Sequence, residues 1–451
     1  MNDSHPVPEN NTRIGFQYYP DTLHFREDDL LAWTPMLKSL GAQWLTMVCP
    51  SNRAIPEAFI RGLVENGIEP VLHLRTGLSD RPVKAEFEVL LDSYADWGVR
   101  YIALFDRPNM QASWSEEDWV QQQLIERYLD IFIEYAELAC RYEMVPILSP
   151  LEPGGNFWDT AFLRSALQGI KARDHQRLLS RLVIGAYAWP SNRPLTWGEG
   201  GPERWPGSRP YFTPTGEQDQ IGFRIFDWYN RLSEAAIGVR LPIVLLGTGC
   251  RIGDQADPEH PPIDEQTHAA QNFKIAKLLA GEQIKGAESI DPIPDNVLAG
   301  NFWLLTSAGN HLEDSSAWFD AIGNTLPAVS LIQRWWASRE PVRAKSSEGE
   351  EHASPETKGH NRKAIRHYLL LPEYDWGVSE WHLQIVQPFI LKHKPTVGFS
   401  VDEACLAEKV TIIGGKQSFT QDMVDRLIFS GCEVKQVSGD GTSIATQLAE
   451  I

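Results

Sequence analysis

The sequence predicts a (β/α)8 barrel, the TIM-barrel class, followed by a small α/β unit of Rossmann-like kind, and three observations carry that reading. From residue 14 to about 337, short apolar, β-rich runs alternate with helical segments, the pattern of parallel strands joined by crossover helices. Eight such runs can be counted, which suits a closed barrel better than an open sheet. A chain of 451 residues accommodates a barrel of ~250 residues or more together with a smaller domain. The organisation expected is a barrel over 1–337, a flexible linker over 338–363 and a small α/β domain over 364–451.

The expected strands are 14–19 (IGFQYY), 43–48 (QWLTMV), 70–74 (PVLHL), 100–105 (RYIALF), 145–149 (VPILS), 182–187 (LVIGAY), 241–246 (LPIVLL) and 301–306 (NFWLLT). Between them, Trp119 to Tyr142 reads as one long amphipathic helix, and Gln220 to Ile237 places Phe223, Ile225, Phe226 and Tyr229 at near-helical spacing, as a core face requires. The stretch from Trp189 to Thr215 is too long for an ordinary barrel loop and dense in Gly, Pro and aromatic residues, so it predicts a structured loop over the barrel mouth. Residues 338–363 mix charge with Ser, Pro and Gly and contain little that is apolar, the composition of a linker. Beyond them a strand over 365–371, a helix over 379–393, a short strand over 396–399, a strand over 409–415, a helix over Thr420 to Phe429 and a last strand near Val434 complete the small unit.

Hydrophobic residues at 42% and charged residues at 22% permit a large core. A formal charge of −19 argues against nucleic acid as a partner, because phosphate binding concentrates Lys and Arg on one face. Five scattered cysteines without CxxC spacing argue against a disulfide framework or a structural zinc site. The twelve histidines show neither HxH nor HExxH spacing, and no metal or cofactor is expected. The N-terminal MNDSHPVPENNTR does not read as a signal peptide, and no run is long enough to span a bilayer, so the expected location is the cytoplasm.

In a (β/α)8 barrel, side chains at the C-terminal strand ends converge and carry the chemistry. Candidate catalytic groups there are Asp106 and Glu152; candidate ligand-binding groups are Tyr18, His73, Arg75, Arg107, Tyr187, Trp189, Arg251 and Trp303. Aromatic rings offer apolar faces to the C–H side of a sugar. Asp106 suits an ion pair with Arg75 or Arg107 better than catalysis, and Glu152 suits bonding of the loop at Gly154 and Gly155 as well as ligand contact. Arg107 reads either as a donor to a ligand or as a charge-compensating plug. Most aromatics of the long loop, Trp197, Trp205, Tyr211 and Phe212 among them, are expected to anchor it. Gly247-Thr248-Gly249 with Arg251 is a weak phosphate-cradle signal, and two glycines at a strand end more often make a turn.

The order of these segments resembles the superfamily of (β/α)8 glycoside hydrolases that retain anomeric configuration. YIALFDRPN (101–109) is similar to its strand-four motif, AYAWPSN (186–192) to strand six, PIVLLGTGC (242–250) to strand seven and NFWLL (301–305) to strand eight. The resemblance implies an Asn-Glu pair at the fourth strand end and a nucleophilic Glu at the seventh. Here Asp106-Arg107 and Gly247 stand at those places. Retaining hydrolysis needs two carboxyl groups ~5 Å apart, Arg107 cannot release a proton near neutrality, and Gly247 has no side chain. The expectation is therefore an oligosaccharide- or glycoside-binding barrel that has lost hydrolysis. The alternatives are an active hydrolase using Asp106, Glu152 or Asp254, and a non-catalytic structural scaffold. Glu199 and Glu203 of the long loop are further acids to place.

The C-terminal segment 410–451 resembles a cell-wall-binding repeat of bacterial surface proteins, on Val410 to Gly415, the helix ending before Gly431, and SGDGTSIATQLA (438–449). That resemblance implies a cell-wall polymer as partner and the cell surface as location. The bare residues suit a small α/β module that packs on the barrel or mediates self-association somewhat better than they suit wall binding.

Overall fold

The structure, a computed structural model, describes residues 4–286, 289–309, 314–321, 323–339, 363, 365–372, 380–415, 418–439 and 441–449. The chain divides into two compact units, within 1–347 and 348–451. Of the expected linker over 338–363, residues 340–362 lie outside the described residues.

In the first unit β1 (Ile14–Gln17), β2 (Trp44–Val48), β3 (Glu69–Leu74), β4 (Tyr101–Leu104), β5 (Val145–Leu151), β6 (Val183–Ala188), β7 (Ile243–Thr248) and β8 (Val297–Phe302) close into a barrel in sequence order. Each pairing is parallel, and β8 returns to β1 with Ile14 opposite Gly300. Around it run α1 (Glu27–Ser39), α2 (Glu57–Glu65), α3 (Lys84–Asp96), α4 (Glu116–Trp119), α5 (Leu124–Arg141), α6 (Asp159–Ala172), α7 (Gln176–Arg181), α8 (Ile225–Ile237), α9 (Glu265–Leu279) and α10 (Pro327–Arg339).

The period-two alternation of the strands sorts their side chains into two cores. Trp44, Val71, Tyr101, Ala103, Val145, Ile147, Val183, Tyr187, Val244, Leu246 and Ala299 pack together inside the barrel. Alternate positions such as Leu45, Leu72, Ile102, Leu148, Ile184, Leu245 and Phe302 join the helices in the outer layer. β1 crosses so close to its neighbours that only glycine fits at position 15. A Cβ there would lie 2.5 Å from Asn301 Oδ1 and 2.7 Å from Trp44 Cβ.

Several elements differ from the sequence expectation for identifiable reasons. The single helix expected over Trp119 to Tyr142 is two, because Gln123 takes a left-handed φ of 60°. Arg127 donates to the carbonyls of Asp118, Gln121 and Gln122, which supplies the hydrogen bonds that the broken turn gives up. α8 starts at Ile225 rather than Gln220, since the Asp219 carboxylate accepts from Ile221 N and Gln220 is tied to Asp159. β7 begins after Pro242, which has no N–H to give a ladder. β8 lies four residues earlier than the apolar run NFWLLT suggests. The strand is VLAGNF, and Trp303 and Leu305 continue as a loop bonded to the carbonyls of Thr248 and Gln17.

The second unit has β9 (Ile365–Leu370), α11 (Glu380–His393), β10 (Thr396–Gly398), α12 (Val401–Ala404), β11 (Ala407–Ile413), α13 (Gln421–Phe429), β12 (Glu433–Val437) and α14 (Gly441–Ala449). Its four parallel strands run in the order β10-β9-β11-β12. Each sheet face is covered: Tyr368, Leu370, Val410 and Ile412 pack with Ala404, Phe419 and Leu427, while Leu369, Ile413 and Val437 pack with Val386, Phe389, Ile444 and Leu448. This is the small α/β fold expected. The closing helix α14 is an element that periodicity had not revealed.

Candidate functional site

The site is built on the end of β4. Phe105 and Arg107 both take left-handed φ values, 64° and 47°, so the chain turns sharply on either side of Asp106. Backbone bonds hold this turn: Asp106 N donates to Thr76 O at 3.2 Å and Arg107 N to Pro150 O at 3.0 Å. Ser113 Oγ lies 2.9 and 2.8 Å from the carbonyls of Asp106 and Arg107. Phe105 turns outward onto Tyr135, leaving Asp106 and Arg107 together at the barrel mouth.

Asp106 is the hub. Tyr187 on β6 donates its hydroxyl to Asp106 Oδ1 at 2.7 Å. Arg107 Nε and Arg75 Nε stand 3.3 and 3.8 Å from Oδ2, and His73 Nε2 stands 4.0 Å from Oδ1. Arg107 also reaches Glu152 Oε2 with Nη1 at 3.4 Å and lies over the Tyr187 ring, 5.1 Å from its centroid. Burial acts against the Arg107 charge, but Asp106, Tyr187 and Glu152 overcome it and hold the guanidinium above its ordinary pKa. His73 is buried, and burial pulls its imidazole down to about 4, Arg75 and Arg107 adding to that and Asp106 opposing it. It is neutral, and its Nε2 lies 3.2 Å from the Phe105 carbonyl, which requires the proton on that nitrogen.

Glu152 follows β5. Burial pushes its carboxyl upward, helped by Asp106 and opposed by Arg107 and Arg251. Its backbone is clamped by fully buried Asn109, whose Oδ1 accepts from Glu152 N at 2.9 Å. Asn109 Nδ2 lies 2.8 Å from Glu152 O and 3.0 Å from Phe157 O, so all its principal bonding capacity goes into joining the two loops. Sequence reasoning missed Asn109. Gly155 packs against it, since a Cβ there would meet Asn109 Nδ2 at 2.5 Å.

The aromatic wall comprises Tyr187, Trp189 and Trp303. Tyr187 and Trp189 stack at 5.3 Å and 15°, and Trp189 meets Trp303 edge-on at 5.8 Å and 89°. Both tryptophans carry a guanidinium: Arg251 lies 5.2 Å from the Trp189 centroid and Arg75 lies 5.0 Å from that of Trp303. Gly247, the penultimate residue of β7, faces this wall. A Cβ at 247 would stand 2.9 Å from Trp189 Cζ2 and 3.0 Å from Tyr187 Cδ1, with Trp189 Cη2 closer still. The space in which a carboxylate at 247 would stand is thus filled by an indole.

The structure therefore brings His73, Arg75, Asp106, Arg107, Glu152, Tyr187, Trp189, Arg251 and Trp303 to one end of the barrel. Tyr18 is the exception and corrects the expectation. It is fully buried in the layer between sheet and helices, against Tyr19, Phe25 and Phe59, because its position in β1's alternation points outward. Asp254 is engaged in its own turn, accepting from Arg251 N at 2.8 Å and pairing with Arg251 Nη2 at 3.3 Å. Glu199 pairs with Arg204 and Arg224, and Glu203 with Arg231, so both loop acids have structural partners. The long loop is anchored by its own aromatics: Trp197 bonds Asp219 and stacks under Arg193, Trp205 bonds Glu199 O, and Tyr211 bonds Asn156 O. Phe212 differs, its ring being largely exposed.

Among the described residues, no group of three or more His, Cys, Asp or Glu side chains is arranged to hold a metal ion, and no helix is long and apolar enough to cross a membrane. The five cysteines are free thiols.

No protein-family model and no curated protein matches the chain. Among solved structures it is similar to an exo-β-1,4-mannosidase from Opitutaceae bacterium strain TAV5, with 11% identity, 97% of this chain and 79% of that one covered, and a TM-score of 0.40. An endo-β-1,3-glucanase from Sorangium cellulosum matches at 12% identity over 71% of this chain and 97% of its own, TM-score 0.40. An endo-β-1,4-glucanase from Xanthomonas axonopodis pv. citri matches at 10% identity over 72% of this chain and 99% of its own, TM-score 0.40.

Proposed function

We propose that the barrel mouth binds a saccharide and does not cleave glycosides by the retaining two-carboxylate route. The observation that carries this reading is the occupied space at Gly247: Trp189 and Tyr187 fill the position from which a second carboxylate would face Asp106. The first carboxylate is committed as well, bonded by Tyr187 and paired with Arg107. What the mouth offers a ligand is a set of partly exposed polar groups beside an indole wall. Arg107, Glu152 and Arg251 have side-chain exposures of 33%, 30% and 40%, enough for ligand hydroxyls to reach them. Such a pairing of ring faces with hydrogen-bonding groups suits a sugar, whose C–H face and hydroxyl rim need both.

A second reading, hydrolysis through Glu152 and Asp106, is favoured by one feature: the raised Glu152 carboxyl is the kind of group that serves as a general acid. A screen of oligosaccharides and aryl glycosides, recording thermal shift and product release together, separates the two. Stabilisation without product supports the binding barrel. Product release that Glu152→Gln abolishes overturns it, and the absence of both effects assigns the barrel to a scaffold. The second unit is read as a module for self-association or for a cell-wall polymer. Light scattering on the full chain and a pull-down with purified peptidoglycan distinguish them.

A further inference from the structure

The charged groups of the barrel mouth balance formally, Arg75, Arg107 and Arg251 against Asp106, Glu152 and Asp254, but they do not balance in what they show to solvent. The side chains of Asp106 and Asp254 are 16% and 12% exposed, against 33% for Arg107 and 40% for Arg251. Both aspartates are also satisfied from within the protein. Asp106 accepts the Tyr187 hydroxyl on Oδ1 and faces Arg75 and Arg107 with Oδ2. Asp254 accepts from Arg251 N on Oδ2 and faces Arg251 Nη2 with Oδ1. Glu152 alone among these acids has an oxygen to spare, since Oε2 faces Arg107 and Oε1 meets no donor among the described residues.

Arg251 sets the chemistry. A guanidinium carries its N–H donors in a planar fork. That of Arg251 spends Nη2 on Asp254, and among the described residues no other acceptor meets it. It lies over the partly exposed Trp189 ring, which Tyr187 stacks against, so spare donors and an indole face adjoin. Glu152 belongs to the same space: burial raises its carboxyl, and Arg107 and Arg251 both oppose that rise. A hydroxyl would use one donor of the fork and leave the charge unmatched. A carboxylate accepts two parallel N–H bonds from it and matches the charge as well.

We propose that the saccharide taken by the mouth is acidic: a hexuronate unit whose ring lies against Trp189 and whose carboxylate pairs with Arg251, while Glu152 Oε1 accepts from a ring hydroxyl. This rests on the saccharide reading of the mouth given above and names the class of sugar. The net charge of −19 does not oppose it. At physiological salt the field of distant carboxylates is screened over about 8 Å, and two of the three acids at hand, Asp106 and Asp254, are already matched by guanidiniums.

The test is isothermal titration calorimetry of the full chain with matched trisaccharides: trigalacturonate against galactotriose, trimannuronate against mannotriose and triglucuronate against cellotriose. The expected result is an acid that binds about tenfold tighter than its neutral counterpart, the scale of a hydrogen-bonded charge pair. Arg251→Met should remove that advantage without weakening the neutral sugar, and Arg251→Lys, which keeps the charge and loses the fork, should fall between. Arg251 lies in the partly exposed loop after β7, and an unchanged circular dichroism spectrum checks that each variant folds. Equal binding of acid and neutral members overturns the proposal and leaves the saccharide reading standing. A preference for the acid that survives Arg251→Met also overturns it, because the carboxylate would then be held elsewhere. If no member of any pair binds, the saccharide reading itself fails and the proposal falls with it.

Discussion

Replacing Gly247 by alanine tests the central claim about the mouth. Gly247 does not have a positive φ, so its backbone accepts an L side chain and any penalty comes from contact alone. The new methyl would sit 2.9 Å from Trp189 Cζ2 and 3.0 Å from Tyr187 Cδ1, whereas ordinary contact begins near 3.4 Å. Overpacking of this kind costs ~1–3 kcal/mol. Moving the indole aside also disturbs its stack on Tyr187 and its edge contact with Trp303, each worth ~0.5–1.5 kcal/mol. The expected loss is about 3 kcal/mol for Gly247→Ala in the wild-type background, shrinking to about 1 kcal/mol or less in Trp189→Ala, where most of the obstruction is gone. The assay is a double-mutant cycle of urea unfolding followed by circular dichroism. Equal destabilisation in both backgrounds would refute the reasoning, because it would mean that Trp189 does not occupy the space at 247.

Four further outcomes follow from the structure. His73 titrates near 6.5 when exposed and about 4 when folded, so its contribution is complete above pH 6.5 and is lost as pH falls toward 4, about 3 kcal/mol in all; a stability-versus-pH curve that His73→Asn fails to flatten in that window would contradict it. Glu69 runs the other way, losing stability as pH rises from 4.5 through about 7, and Glu69→Gln should remove that slope. Asn109→Ala deletes a clamp of three hydrogen bonds between loops and should cost about 3 kcal/mol in chemical denaturation, an effect under ~1 kcal/mol counting against a structural clamp. Arg107→Met should drive the Glu152 carboxyl further upward, since it removes the group that most lowers it; a carbon-13 NMR titration showing no upward movement would sink that attribution.

The parallel barrel was legible because buried strands write themselves as short apolar runs at helix-separated intervals, and most of the mouth was legible because barrel strand ends converge wherever their register falls. Register itself was harder to read. The run at 301–306 is more apolar than VLAG, yet β8 begins with VLAG and takes only Asn301 and Phe302 from that run, with a glycine at 300 where the strand passes Leu279. Tyr18 was misplaced because a residue just past a strand end continues the strand's alternation, a parity that hydrophobicity cannot supply when both faces are apolar. Asp106 and Arg107 were an ambiguous pair in the sequence. Two left-handed residues, invisible to pattern, put both at the mouth. Asn109 escaped because its work is done entirely through backbone groups of a loop far along the chain.

The guanidinium groups resting on Trp189 and Trp303 make any ligand a competitor. A sugar that settles on the Trp189 ring must first evict Arg251, giving up a cation–π contact of about 0.5–1 kcal/mol at a partly exposed site, while Trp303 is buried and its contact with Arg75 is the harder one to open. Binding is then an exchange of one cover for another, and its net strength is a small difference between similar terms. An evicted arginine does not leave the mouth, however. It stays beside its own strand end, held there by a carboxylate, Asp254 for Arg251 and Asp106 for Arg75, so the same side chain that resists a neutral ligand can turn part of its charge toward one that brings an acceptor.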